Sequence, residues 1–208
     1  RWRSEGLPEG VDPSEAAYRQ AGGTLPWPRE GEGFGISDRM NPEFEEKVLE
    51  VKQDSLIVQD WKGNVCEISK QFDVTYLRYA KDFVTRKWIR CPVESWEDWE
   101  AMKARYNPDD PIRLPKDAVE RGRRLKDRTW PITFHVSGPF WIMREWMGFE
   151  GLCMAFCDQP DLIRDMVKFW TDFIGRLLER ALRHVTPDCF HISEDMAYKG
   201  FSMISPAM

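Results

Sequence analysis

Imidazole, hydroxyl and carboxylate side chains gather near the end of the sequence, in the segment 188–206. The first residues of this segment alternate in character, which is typical of a strand with one polar and one apolar face. His191 and Ser193 belong to the polar face, and Glu194 and Asp195 follow directly. In α/β enzymes, the loops that follow strands hold the reactive groups, so carboxylates in such a loop are candidates for catalysis. The segment therefore predicts an enzyme site.

Glu194 and Asp195 are the strongest candidates for acid and base chemistry. Two neighbouring carboxylates in a partly dry site can divide these roles between them. Because adjacent residues on an extended strand point in opposite directions, we expect only one to face a ligand. Asp195 lies on the same side of the strand as His191 by alternation, so it is favoured as the residue that faces a ligand, and Glu194 is the alternative. Whichever carboxylate does not face the ligand would cap a helix or pair with Lys199. Tyr198 and Lys199 are predicted to close over a bound anion, the alternative being simple surface exposure.

A second strand repeats the pattern of the first. Phe-His-Val-Ser occurs at 134–137, and Phe-His-Ile-Ser occurs at 190–193. Strand parity places both histidines on one face at similar depth, so we expect the two imidazoles to lie close together and to orient a substrate or donate protons. In the alternative, both are neutral core histidines satisfied by nearby hydroxyls. The predicted site residues of the two strands are His135, Ser137, His191 and Ser193.

The elements around these strands predict an α/β fold. Between the two strands, a Trp-, Met- and Phe-rich helical region is followed by a long helix that begins after Asp158, its expected cap. Apolar residues of this helix recur at i, i+3, i+4 and i+7. A helix that leads directly into a strand predicts a parallel βαβ unit, with the last strand central in its sheet and with Phe190 and Ile192 packed under helices.

The first half of the chain predicts short helices and antiparallel strands. The predicted elements are, in order, a short helix capped by Asp12, a short helix at 41–52, a hairpin at 55–69, a strand at 83–90, a helix capped by Ser95 and Asp98, and a polar helix at 116–126.

Composition bounds the class of protein. With 208 residues, 42% of them hydrophobic, the chain can bury a core, and its many aromatic residues are expected there. A net charge of −5 argues against a nucleic-acid partner, and the basic run at 121–128 is interpreted as a solvated helix face. No apolar stretch approaches the ~18 residues of a membrane span. Five cysteines without a CxxC pair predict reduced thiols and a cytoplasmic protein; Cys153 and Cys157 could share a metal, but buried thiols are favoured.

Four blocks of sequence carry a family resemblance. They are RWRSEGLP, CPVESWEDWEAMKARYNPDDPIR, FHVSGPFWIMREWMGFE and HISEDMAYKGFSMISPAM. Together they resemble the uroporphyrinogen decarboxylase-like superfamily, which includes the decarboxylase itself and cobalamin-dependent methyltransferases. The resemblance implies a partial TIM (β/α)8 barrel whose interior the two histidines face. It implies a single domain over 1–208, with N-terminal helices and an antiparallel β-hairpin excursion in 1–93 and the βα units in 94–208. Because the sequence starts without Met and stops just after an expected helix start, we expect this domain to be cut at both ends.

Departures from the family pattern order the possible functions. The arginine-rich RQAGRY motif and the FSDIL-type strand of the decarboxylase do not occur. His135 and His191 are each followed two residues later by Ser where the zinc-dependent members have Cys, so no metal is assigned, and zinc ligands would lie beyond residue 208. The favoured function is corrinoid-dependent methyl transfer on a small methylated substrate, with a corrinoid (cobalamin) as methyl donor or acceptor and a corrinoid protein as partner. The alternatives are a uroporphyrinogen decarboxylase with a tetrapyrrole substrate, and a catalytically silent binding module.

Overall fold

The computed structural model describes residues 3–23, 32–74, 78 and 86–205. In chain order its helices and strands are α1 (Pro13–Gln20), β1 (Lys47–Val51), β2 (Ser55–Gln59), β3 (Val65–Ser69), β4 (Lys87–Arg90), α2 (Trp96–Lys103), α3 (Ala118–Arg124), β5 (Thr133–Ser137), α4 (Pro139–Asp158), α5 (Pro160–Leu182), β6 (Cys189–Ser193), β7 (Ala197–Tyr198) and β8 (Phe201–Ser202). Short 3-10 turns cover Pro111–Arg113 and Leu125–Asp127.

Strands β1 to β4 form an antiparallel sheet in sequence order. The predicted hairpin is confirmed as β2 and β3. Its turn is held by Asp60, whose Oδ1 accepts hydrogen bonds from the backbone amides of Lys62 and Asn64, both at 2.9 Å. The predicted strand at 83–90 is confirmed for β4, whereas residues 83–85 lie outside the described part of the chain.

The helix predicted at 41–52 is wrong. Residues 43–46 are irregular, and β1 follows them. The spacing of Phe44 and Val48 fits one face of a helix, but Val48 and Val51 pair with Val58 and Leu56 of β2. Pairing with a neighbouring strand overrides a weak helical pattern because β-branched side chains pack well on a pleated surface.

Several helices begin at the capping residues that the sequence predicts. Asp12 accepts hydrogen bonds from the amides of Ser14 and Glu15 at the start of α1. Ser95 and Asp98 form the expected capping box of α2: the amide of Asp98 donates to Ser95 Oγ, and Ser95 Oγ donates to Asp98 Oδ2. The polar helix is confirmed as α3. Asp158, however, does not cap α5; it is the last residue of α4, which is kinked at Gly148.

Strands β5 and β6 form the predicted parallel pair, joined by α4 and α5. The expectation of a partial TIM barrel is wrong. Within the described residues the sheets have four, two and two strands, and none closes. Strand β6 pairs with β5 alone in this part of the chain and is not central, and the histidine face of the pair lines no barrel.

The apolar face of β6 also differs from the expectation. Phe190 and Ile192 are 50% and 60% exposed, whereas Phe134 and Val136 on β5 are buried. Alternation in the sequence groups side chains on a face, but it does not show whether a second layer covers that face. Within the part of the chain that the structure describes, helices cover β5 and leave Phe190 and Ile192 exposed.

The main core is aromatic, as the composition predicts. Trp146 and Trp170 meet edge-on with ring centroids 5.7 Å apart, and Tyr106 lies against both. Trp146 Nε1 donates a hydrogen bond to Tyr106 Oη at 3.0 Å, and burial raises the pKa of Tyr106. A second cluster, with Phe34 and Phe134, lies under β5. Within the described ranges, no helix is both long and apolar enough to cross a bilayer.

Candidate functional site

Two histidines lie side by side on the open face of the parallel pair. His135 and His191 are register partners in β5 and β6, and their rings stack with centroids 4.7 Å apart and an interplanar angle of 29°. The predicted proximity of the imidazoles is confirmed. Both side chains are exposed, so the alternative of core histidines is wrong. His135 Nε2 forms a 2.5 Å hydrogen bond with Ser193 Oγ, the donor depending on the imidazole tautomer.

The carboxyl end of β5 is held from two sides. The backbone amide of Ser137 donates to Asp38 Oδ2 at 2.7 Å, and its carbonyl accepts from Trp170 Nε1 at 2.8 Å. The next amide, of Gly138, donates to the carbonyl of Ser193 at 2.8 Å. These bonds join the carboxyl ends of the two strands to each other and join β5 to α5.

Glu194 caps helix α4. Its Oε1 accepts from the amide of Phe140 and its Oε2 from the amide of Trp141, both at 2.9 Å. A carboxylate at this position satisfies amides that have no partner within the helix and interacts favourably with the helix dipole. The approach requires a glycine, because a Cβ on Gly138 would lie 2.2 Å from Glu194 Oε1. Of the two roles considered for Glu194, the structure places it in helix capping.

Asp195 turns away from Glu194 and binds Arg144. Arg144 Nη1 donates to Asp195 Oδ2 at 2.8 Å, and the guanidinium lies 4.6 Å from the ring centroid of Trp141. The Asp195 side chain is 48% exposed. The two carboxylates therefore bind separate partners and do not face each other across a shared site. Asp195 remains the one with access to a ligand.

Tyr198 and Lys199 lie on the small hairpin of β7 and β8. Tyr198 is exposed, with its ring centroid 6.0 Å from that of Phe201, and Lys199 is exposed as well. The backbone amide of Met203 donates to the carbonyl of Met196 at 2.8 Å and closes the hairpin. Neither Tyr198 nor Lys199 contacts the histidine pair, so their position fits the simpler alternative of surface exposure.

A cavity of about 910 Å³ lies beside this region, and Arg144 is part of its wall. It is bounded by β4, the segment after it and the kink of α4, and Trp88, Cys91, Met147 and Phe149 contribute to its wall. Burial raises the pKa of the Cys91 thiol to about 11. His135, His191, Glu194 and Asp195 are not in that wall. The histidine site is thus an open surface and not a closed pocket.

The cysteines divide into buried and exposed thiols. Cys66 is fully buried, and burial raises its pKa to about 12. Cys153 is half-buried, whereas Cys157 and Cys189 are exposed, so the expectation of two buried thiols on α4 is wrong for Cys157. Within the residues that the structure describes, no group of three or more His, Cys, Asp or Glu side chains is arranged to hold a metal ion.

Sequence reasoning missed three residues of the site. Asp38 comes from the Gly- and Pro-rich first part of the chain, 99 positions before its partner Ser137, and no local pattern connects the two. Arg144 and Trp141 are one turn apart on α4, a spacing that places them on one helix face, but the sequence does not show that this face meets Asp195.

Comparison with family models, with curated proteins and with solved structures gave no match. The chemistry of the site must therefore be argued from its own groups. Two exposed imidazoles lie at the middle of two parallel strands, a serine hydroxyl lies at the carboxyl end of β6, and an arginine-bound carboxylate follows two residues later. This set can exchange protons with a bound molecule and can balance charge on it.

Proposed function

We propose that this chain carries out corrinoid-dependent methyl transfer on a small methylated substrate, as in the methyltransferase branch of the uroporphyrinogen decarboxylase-like superfamily. The observation that carries the proposal is the stacked pair of His135 and His191 with Ser193 at the end of parallel strands. Ligands of open α/β sheets bind beyond the carboxyl ends of the strands, often beside the loops that follow them. The sequence blocks that resemble the family include both strands.

The openness of the site supports a large reaction partner. Both imidazoles are exposed. The side chain of Asp195, which follows His191 closely in sequence, is half exposed. An accessible face fits a corrinoid, whose broad ring would not enter a narrow cleft. When bound, the corrinoid would supply or accept the methyl group.

Each side chain has a distinct role in this proposal. His191 faces its register partner and solvent, so it is placed to move a proton on or off the methylated substrate. The hydrogen bond between His135 and Ser193 orients the imidazole of His135. Asp195, held by Arg144, provides fixed negative charge beside the substrate and would activate the acceptor or stabilise positive charge on it. Glu194 acts only through the position of α4.

The test uses the protein with methylcob(III)alamin and a set of small thiols, amines and alcohols as methyl acceptors. Demethylation would be followed by the change in visible absorbance and by mass spectrometry of the methylated product. A parallel reaction would contain uroporphyrinogen, with release of CO₂ as the readout. We expect methyl transfer in the first reaction and no release of CO₂ in the second.

Variants assign the roles. His191→Gln and Asp195→Asn are each expected to lower kcat by about 10²-fold, the usual size of a lost acid–base or charge contribution. His184→Gln is the matched control, because His184 is the third histidine, is half-buried, stacks on Phe34 and lies before β6, away from the histidine pair. Turnover of uroporphyrinogen alone would overturn the proposal, and full activity of Asp195→Asn would exclude the role of that carboxylate.

A further inference from the structure

A second cavity, of about 530 Å³, lies at the opposite end of strands β5 and β6. Its wall comes from α3 with the 3-10 turn after it, and from the C-terminal end of α5 with the residues that lead into β6. Arg128 marks the position: its Nη2 donates to the carbonyl of Thr186, just before β6. His135 and His191 are the middle residues of these strands, two residues or about 7 Å along the strand from the starts of β5 and β6.

Close helix packing builds the floor of this cavity. A Cβ on Gly122 would lie 2.4 Å from the carbonyl oxygen of His184. The glycine therefore lets the backbone of α3 rest directly on the end of α5, and both residues line the cavity. This contact brings Arg123 and Lys126 from one segment to the same space as Arg183 from the other.

Three of the four cations that line the cavity have no carboxylate partner among the described residues, whereas Arg128 pairs with Asp188. Arg123, Lys126 and Arg183 are exposed and have no ion pair or side-chain hydrogen bond with any described residue. The neighbouring arginines in the sequence of α3, by contrast, do form ion pairs. Arg121 and Arg124 both bind Glu32 and Asp117, and so do not contribute free charge.

Arg128 adds a buried donor to the wall. Its Nη1 donates to the carbonyl of Leu125 and its Nη2 to Thr186 and Asp188, while its Nε is buried without a hydrogen-bond partner. A buried donor without an acceptor is costly and rare in folded proteins.

We propose that this cavity binds a small phosphate-bearing anion with two or more negative charges. One arginine guanidinium can donate two parallel hydrogen bonds to the oxygens of a phosphate group, and the flexible side chain of a lysine adds a further positive charge. The cavity is large enough for several linked phosphate groups. A long polyanion fits less well, because the chain as a whole carries a net charge of −5.

Helix dipoles give a competing reason for part of this charge. Arg123 lies in the last turn of α3 and Arg183 at the end of α5, where cations stabilise a helix. Lys126 lies beyond α3 in the 3-10 turn, and the dipole does not account for its convergence with Arg183. The two explanations separate in experiment: a dipole role affects stability alone, whereas a ligand role affects binding.

The test is titration calorimetry of the protein with inorganic tripolyphosphate at low ionic strength. We expect a Kd on the order of 0.1 mM that weakens as NaCl is added. Lys126→Gln and Arg183→Gln are each expected to weaken binding about tenfold. Lys116→Gln is the matched control, since Lys116 is exposed, has no ion pair with a described residue and lies outside the cavity wall. Circular dichroism would show that the variants fold.

The outcomes are distinct. Tripolyphosphate binding that depends on Lys126 and Arg183, but not on Lys116, supports the site. No binding by the wild-type protein, full binding by both cavity variants, or equal loss in Lys116→Gln would overturn the proposal. Tighter binding of a single-stranded DNA 12-mer than of tripolyphosphate would also overturn it, in favour of a nucleic-acid surface. None of these results depends on methyl transfer.

Discussion

Glu194 occupies the place at the start of α4 that an anionic ligand would otherwise take. Its two carboxylate oxygens accept hydrogen bonds from consecutive backbone amides, and Gly138 leaves room for them. The neighbouring carboxylate of Asp195 binds Arg144 of the same helix and is half exposed. Adjacent residues thus place one carboxylate in a helix cap and the other on the surface.

Loss of the Glu194 cap is expected to destabilise the protein. Glu194→Ala leaves two helix amides without their acceptor and should lower the free energy of unfolding by about 1–2 kcal/mol. Glu194→Gln keeps one acceptor oxygen and should cost less. Urea denaturation measures both. Glu179→Ala, an exposed position on α5, is the control, and equal stability of the Glu194 and Glu179 variants would contradict the capping role.

Asp188 joins the starts of β5 and β6. Its Oδ2 accepts from the amide of Ile132 at 2.8 Å and from Arg128 Nη2 at 2.5 Å, and these donors hold the pKa of Asp188 below its usual range. A carboxyl group with a lowered pKa in the folded state contributes stability above its unfolded pKa of about 4, and that stability is lost as the pH falls through the folded pKa.

The expected result is a difference between wild type and Asp188→Asn that depends on pH. At pH 7 the variant should be less stable than wild type, and the gap should narrow as the pH falls below about 4. Chemical denaturation at several pH values gives the two curves. A gap of constant size across this range would show that ionisation of Asp188 does not contribute.

At the scale of elements, the two parallel strands differ although their sequences match. Val136 and Ile192 are register partners, yet Val136 is 4% exposed and Ile192 is 60% exposed. The tetrapeptides predicted the pairing, the parallel direction and the shared histidine face, because these follow from strand parity and from the helix between the strands. They could not predict the covering layer, which depends on where α5 packs.

Matched substitutions test that difference. Val136→Thr places a hydroxyl in the core under β5 and should lower the free energy of unfolding by about 1–3 kcal/mol. Ile192→Thr makes a similar change on a solvent-facing side chain and should change it by less than about 0.5 kcal/mol. Thermal or urea unfolding compares them. A loss in Ile192→Thr as large as that in Val136→Thr would mean that the β6 face is covered in solution.

At the scale of the whole molecule, one aromatic cluster ties α2, α4 and α5 together. Trp99 and Trp146 lie with ring centroids 4.8 Å apart, and Trp99 Nε1 donates to Asp165 Oδ2 at 2.7 Å. The same core holds Trp170, whose indole also fixes the end of β5. The position of the histidine site therefore depends on the packing of this cluster.

Trp146→Phe should weaken the core by about 1–3 kcal/mol, because it removes volume and leaves the buried hydroxyl of Tyr106 without its indole donor. Urea unfolding followed by circular dichroism measures the loss. Trp88→Phe is the control, since Trp88 is 53% exposed. Similar stability of the two variants would contradict the central role of Trp146.

The arrangement of the whole molecule was the hardest part to predict. Caps at Asp12 and Ser95, the β2 and β3 hairpin and the amphipathic α5 are local, so residues a few positions apart specify them. Closure of a sheet depends on contacts far apart in sequence, and a family likeness supplied the expectation of a barrel that the structure does not have. For the same reason, the sequence did not predict the contact between Asp38 and Ser137.

The exposed thiol of Cys189 makes the histidine face accessible to chemical labelling. Cys189 lies two residues before His191 on β6, whereas Cys66 is buried and has a raised pKa that slows its reaction with maleimides. Replacing exposed Cys157 by serine would leave Cys189 as the most accessible of the remaining thiols. A dye attached there would change its emission when a molecule settles on the imidazole pair, and so would report occupancy without any assay of turnover.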